Sequence, residues 1–182
     1  DAVSYNVTAG KLTAGGTATL KMGSGTWTLT STGTVWNMGS AGGSFALYKG
    51  TADILLSNTT TTARTFDGSS FSFNKLTIGG ATGTSTFSIG GSNQFTELAS
   101  TKTVAHTIAL GTTTQTFGKW SVTGTSGNVV TLTGTGTSHI LAGACTDGID
   151  YLAMGSIRFA ATSPAEFYAG ANSTATGSPA AP

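Results

Sequence analysis

The chain has 182 residues and a formal net charge of +1, with only 8% of residues charged, against about a quarter in an ordinary soluble domain. Its Lys and Arg are scattered, so no basic stripe exists to neutralise a run of phosphates, which argues against nucleic-acid binding. No apolar stretch approaches the ~20 residues a membrane-spanning helix needs.

Threonine, glycine and serine number 37, 27 and 20, together 84 of 182 residues. The three prolines all lie at or after Pro164. This polar content is β-branched hydroxyl plus glycine, a mixture of strand formers and turn formers. Large apolar residues recur at regular intervals, which a disordered linker lacks. The opening DAVSYNVTAG has neither a charged n-region nor an apolar h-region. A signal peptide is therefore expected to be absent, already removed, or outside an internal piece of a longer protein. Cys145 is alone, so it forms no internal disulfide, and its AGACTDG surroundings read as an inert small residue near a turn.

The N-terminal third repeats every nine residues. Trp27, Trp36, Phe45 and Ile54 are nine apart, and Leu29, Met38, Leu47 and Leu56 follow each by two. Apolar-x-apolar followed by small polar residues is the pattern of a half-buried strand and a turn. Two such units would make a coil of about 18 residues, and hairpins fit equally well.

The middle of the chain shifts to an interval of 22. FNKL (Phe73–Leu76) returns as FTEL (Phe95–Leu98) and again as FGKW (Phe117–Trp120). Leu76, Leu98 and Trp120 share this register, and Ile54 precedes Leu76 by the same 22. A second column at the same interval runs through Ile108, Val130 and Leu152, with Phe87 slipped by one residue. The turns recur as well: GATG (Gly80–Gly83) and GTSG (Gly124–Gly127) lie two intervals apart.

Two columns with one period predict an all-β parallel β-solenoid with coils of about 22 residues over residues 1–160. Successive strands stack about 4.8 Å apart in such a fold. Phe73, Phe95 and Phe117 then form an aromatic ladder, and Lys75, Glu97 and Lys119 an alternating charge ladder. A β-sandwich would explain the strand spacing but not a shared 22-residue register. Residues 161–182 are rich in Pro, Gly, Ala and Ser and read as a closing loop and tail, with Phe167 and Tyr168 as a cap on the last coil.

Chemistry-bearing groups are sparse. Of the seven acids only Asp147 and Asp150 are close in sequence, and residues three apart on a strand face opposite sides. An aspartate followed by glycine is an ordinary turn. His106 and His139 are separated by one and a half intervals and should not stack. No metal, cofactor or catalytic motif is expected, which argues against an enzyme. Thr-x-Thr pairs in TWTLTSTGT and TLTGTGT raise the possibility of ice binding. On a 22-residue register, however, Thr77 meets Ala99 and Ser121, and Thr131 meets Ala109 and Ala153, so the rows break and threonine reads as a plain outward strand residue.

Five stretches, GSGTWTLTSTGTVWN (Gly23–Asn37), TTTARTFDG (Thr60–Gly68), NKLTIGG (Asn74–Gly80), GIDYLAM (Gly148–Met154) and FYAGANST (Phe167–Thr174), give the chain its resemblance to β-structured segments of tailed-phage virion proteins and related bacterial surface proteins. The resemblance implies a structural or adhesive virion element, a fibre or capsid decoration, placed at the virion surface. It also implies association as a homotrimer or with other virion proteins, and contact with a cell-surface glycan. A bacterial surface adhesin or extracellular filament subunit is the rival. A polysaccharide-cleaving tailspike is disfavoured by the dispersed acids. The motifs bring no catalytic residues with them.

Overall fold

The computed structural model describes residues 5–39, 44–135, 138–143, 148–161 and 167–176. Among these residues there is no helix, and every named strand pairs in parallel with its neighbours. The chain is a β-solenoid whose faces are parallel sheets.

Face A stacks β1 (Val7–Ala9), β4 (Thr26–Leu29), β7 (Asp53–Leu56), β9 (Ser72–Ile78), β11 (Gln94–Ser100), β13 (Thr116–Phe117), β16 (Ser138–Leu141) and β18 (Arg158–Ala161), with β14 (Trp120–Ser121) also on β11. Face B stacks β2 (Leu12–Thr13), β5 (Gly33–Asn37), β8 (Arg64–Asp67), β10 (Thr86–Gly90), β12 (His106–Leu110), β15 (Val130–Thr133), β17 (Leu152–Gly155) and β19 (Thr174–Thr176). A short face C pairs β3 (Thr19–Lys21) with β6 (Ala46–Tyr48).

The nine-residue period of the N-terminal third has a geometric cause that differs from the expected two-unit coil or hairpins. Trp27 lies on face A, Trp36 on face B, Phe45 beside face C, and Ile54 is back on face A. Trp27 pairs directly with Ile54, so the coil is three nine-residue units, one per face. Trp27 and Trp36 therefore do not stack in a column. They meet edge to face across the core at 6.4 Å, and Trp36 stacks instead on Phe66 of the next coil at 5.5 Å.

From β7 to β14 face A keeps the 22-residue interval; above that it departs from it, with Phe117 on Leu141 and Ser138 on Arg158. Ile54, Leu76, Leu98 and Trp120 are register partners in sequence, and so are Phe73, Phe95 and Phe117. The phenyl rings stack at 5.5 and 5.9 Å. All six of the recurring Phe, Leu and Trp residues are buried. Residues three apart on a straight strand point to opposite faces, so burial of both Phe73 and Leu76 requires a bend between them. The repeating Phe-x-charged-apolar motif is that bend, a corner of the coil with the charged residue outside. At the third level the strand breaks there altogether, leaving Gly118 and Lys119 between β13 and β14.

Face B departs from this interval. Phe87 pairs with Ile108, one residue short of it, and Ile108 pairs with Leu132, two residues beyond it. The expected column of Ile108, Val130 and Leu152 is thus corrected in its first member: Val130 stacks on His106 below and Leu152 above. Ile108, Val130 and Leu152 are all buried, but in two neighbouring columns. The two extra residues are taken up by a tight turn in which the Thr125 and Asn128 backbones bond each other at 2.9 and 3.2 Å.

Turn glycines hold successive coils close. Gly83 (φ +78°) lies in the left-handed region, where a Cβ is disfavoured, and a Cβ there would collide with the Thr59 carbonyl of the preceding coil. Stacking also continues past residue 160. β19 adds a strand above β17, and the Phe167 ring stacks on Phe159 at 4.3 Å and meets Trp120 edge to face at 5.8 Å. Tyr168 is exposed.

Candidate functional site

A buried polar group without a structural task is the usual sign of chemistry. Arg64 occupies an inward position of face B, directly below Phe87, and is fully buried. Its guanidinium donates to the Asn58 carbonyl and to Ser85 Oγ (2.7 Å) and lies 4.3 Å from the Phe87 ring centre. Lys102, also buried, donates to the carbonyls of Gly80 (2.6 Å) and Thr82 (3.1 Å). Burial pulls both cations' pKa values down, and the nearby Arg64 charge adds to the effect at Lys102. These two side chains tie the loops of adjacent coils together through carbonyls and an aromatic face. The sequence gives no hint that Arg64 is internal.

A second buried polar row runs up the inside of face A. Asn93 Nδ2 donates to Gln115 Oε1 (3.0 Å), and the Gln115 backbone N–H donates to His139 Nδ1 (3.2 Å). All three side chains are fully buried. Burial lowers the His139 pKa to about 4, which keeps the ring neutral at physiological pH. His106 and His139 lie on different faces, β12 and β16.

Among the described residues His106 makes a pairing that resembles a catalytic dyad. Its Nε2 accepts from the Ser100 hydroxyl at 2.9 Å, and its Nδ1–H donates to the Val104 carbonyl at 2.9 Å. The distances satisfy a nucleophile and base held by an orienting group. The electrostatics oppose it. Burial and the Lys102 charge lower the His106 pKa, whereas acyl transfer needs a stabilised imidazolium, usually through a carboxylate at Nδ1.

The expected acid pair cannot be compared in space, because Asp147, like Cys145, lies outside the described residues. The Asp150 carboxylate accepts from Asn172 Nδ2 (2.7 Å), the Tyr151 N–H (2.8 Å) and the Asn172 N–H (2.9 Å). The Asn172 side chain is the main cause of its lowered pKa. Asp150 is a clamp between the last two coils. Glu97 sits between Lys75 (3.3 Å) and Lys119 (3.8 Å). Partial burial would raise its pKa, but hydrogen bonds from Ser121 and Lys75 and the two Lys charges outweigh that and lower it. No cluster of three metal-ligating side chains occurs among the described residues.

What remains is the outside of face B. From β10 to β19 its outward positions form two columns in register. One runs Thr86, Thr107, Thr131, Ala153, Thr174, and the other Ser88, Ala109, Thr133, Gly155, Thr176. The rows read TFS, TIA, TLT, AMG and TAT, and the middle residues of the first three, Phe87, Ile108 and Leu132, are buried. Six of the ten outward positions are threonine and none is charged. A shallow groove of about 470 Å³ borders the first column, with Thr86, Thr107 and Thr131 on its wall beside the buried Ser85 and His106. The outside of face A differs, carrying Asp53, Lys75 and Glu97 in one register column. A constant interval of 22 misses the face B array because the register there falls one residue short of it and then two beyond it. The slip of Phe87 and Ile89 against Ile108 and Leu110 was the available signal.

No helix among the described residues is long and apolar enough to cross a membrane. No protein-family model matches the chain, and no curated protein or solved structure matches it.

Proposed function

We propose that this chain is a non-enzymatic structural and adhesive element, a stiff β-solenoid that presents face B as its contact surface. The observation that carries the reading is the division of labour between inside and outside. Interior Arg64, Lys102, His139, Asn93 and Gln115 side chains are bonded to neighbouring coils, while the outward array of face B is uncharged, regular and free of large side chains. Stacked parallel coils make such a surface rigid, because each row is fixed by the sheet beneath it. The resemblance adds the setting, a virion fibre or capsid decoration, with a bacterial surface adhesin using the same face as the alternative.

Among the described residues the outermost strands β1, β2, β18 and β19 each have a single strand neighbour. Open edges favour association, in keeping with a homotrimer or docking on another virion protein. Light scattering at an order-of-micromolar concentration reads this directly. A monodisperse species of 18.1 kDa that unfolds cooperatively overturns the oligomer.

The test of the adhesive reading is binding of the labelled chain to host cells or their surface polysaccharide. Loss of binding on Thr107→Lys and Thr131→Lys is the expected result. Binding that survives both, or polysaccharide cleavage that disappears in Ser100→Ala or Asp150→Asn, overturns it.

A further inference from the structure

We infer that the hydroxyl array of face B is an ice-binding surface. The inference rests on the reading of face B as the contact surface and names its partner as the lattice of solid water. Four properties support it, each independent of the others.

The first is two-dimensional periodicity. Parallel stacking repeats each column about every 4.8 Å, and alternate residues along a strand repeat about every 6.6 Å. Hexagonal ice presents oxygen repeats of comparable length in two directions. The observed register aligns Thr86, Thr107 and Thr131 as successive Cα partners, where a constant interval of 22 sets Thr131 on Ala109; Ala153 interrupts the column once before Thr174.

The second is side-chain chemistry. Threonine carries a hydroxyl that can occupy a lattice site and a methyl that orders water over the gap beside it. On a strand its χ1 is restricted by β-branching, so little freedom is lost when the hydroxyl is fixed. Serine, alanine and glycine at the other positions add no projecting group.

The third is the absence of charge from the array. A charged group imposes its own hydration geometry on nearby water, and face A, with Asp53, Lys75 and Glu97 in one column, is unsuited for that reason.

The fourth is the poor fit of the neighbouring groove to a sugar. None of its described lining residues is a carboxylate, Trp, Tyr or Phe. The stacking platform and the bidentate acceptors on which sugar recognition usually depends are missing.

Each hydroxyl holds a lattice water weakly, but the array presents many at fixed spacing to one solid, and the contributions multiply. Such a surface stays on an ice front once it is seated.

The experiment uses the fluorescently labelled 182-residue chain in a slowly growing ice crystal, with the hysteresis gap measured in parallel. The expected result is label incorporated into the ice and growth arrested over a measurable interval below the melting point. Label swept out of the advancing ice, with no gap, overturns the inference whatever the variants do. Thr131→Tyr puts a ring in the middle of the array and is expected to abolish both signals. Thr28→Tyr, on the outside of face A, is expected to keep them, and loss in that variant with an unchanged circular dichroism spectrum also overturns the assignment. Should Thr131→Tyr fail to fold, Thr107→Lys probes the same column. Exclusion from ice together with cell or glycan binding that Thr131→Tyr removes sinks the ice inference and leaves the contact-face reading standing. The same holds for exclusion together with a dimer that this variant dissolves. Exclusion with neither form of binding sinks both.

Discussion

Faces A and B share one core and differ in almost everything outside it. On face A the coil turns a corner at Phe-x-charged-apolar, one interval holds through three levels, and the outward column alternates in charge. On face B the interval shortens by one residue between β10 and β12 and lengthens by two between β12 and β15, as it does on face A between β13 and β16, and from β10 to β19 the outward columns hold hydroxyls and small side chains. The difference teaches that stacking constrains inward positions on both faces, whereas outward positions are free to be assigned separately. A constant interval is therefore a sign of equal loop lengths, not of functional weight.

The largest effect should come from the shared core. Phe95 lies between Phe73 and Phe117 and is almost fully buried. Phe95→Ala leaves a cavity in the middle of the ladder and should cost about 3–5 kcal/mol of unfolding free energy. Ile108→Ala on face B, equally buried, should cost about 2–5 kcal/mol. Urea unfolding of both variants measures this. A loss below about 1 kcal/mol for either one would mean that its face is not fastened to the common core.

Acidification should come next in size and should act from inside face A. His139 has a folded-state pKa of about 4, lowered by burial from an ordinary 6.5. The unfolded chain binds the proton more readily between those values, so stability is fully present above pH 6.5 and falls as the pH drops toward 4. For a shift of this size the loss approaches about 3 kcal/mol. His106, lowered in the same direction, adds to it on face B. Glu97 and Asp150, whose pKa values are lowered, add a further loss as the pH falls below the ordinary carboxylate range. Unfolding midpoints at pH 7 and pH 4.5 give the slope, which His139→Gln should flatten. An unchanged slope in that variant would remove His139 as its cause.

The parts of this fold that were legible in the sequence are those where loops have constant length. Leu76, Leu98 and Trp120 could be aligned because the segments between them are equally long. A constant interval aligns Ile108 with Val130 instead of Leu132 because the tight turn at Thr125–Asn128 inserts two residues that have no apolar signature. The same insertion hid the threonine rows, since an error of two keeps a residue on the correct side of the strand but in the wrong column. The nine-residue period was visible, but the number of faces was not: coils of two units and of three both preserve a period of nine, and only the Trp27–Ile54 pairing decides between them. Arg64 was illegible for a different reason. Its burial depends on carbonyls of residues brought near by the coil, and an arginine in TTTARTFDG looks like any surface cation.

The smallest expected effect sharpens the contrast between the two outer surfaces. Glu97→Lys would place a third cation between Lys75 and Lys119, at separations that are now 3.3 and 3.8 Å. All three side chains are partly exposed, so water and salt screen them. The attraction lost is of the order of a few tenths of a kcal/mol, and the repulsion gained is of similar size. Thr133→Lys puts a single new cation on face B, where the register neighbours Ala109 and Gly155 carry no charge. Glu97→Lys should therefore be destabilised by about 1 kcal/mol at low ionic strength and should recover much of that in molar salt, where the screening length falls to about 3 Å. Thr133→Lys should shift stability by no more than about 0.5 kcal/mol and show no recovery. Unfolding of both variants across a salt series provides the comparison. Equal salt dependence in the two would mean that the charge ladder of face A contributes nothing, and that the faces differ in composition but not in energetics.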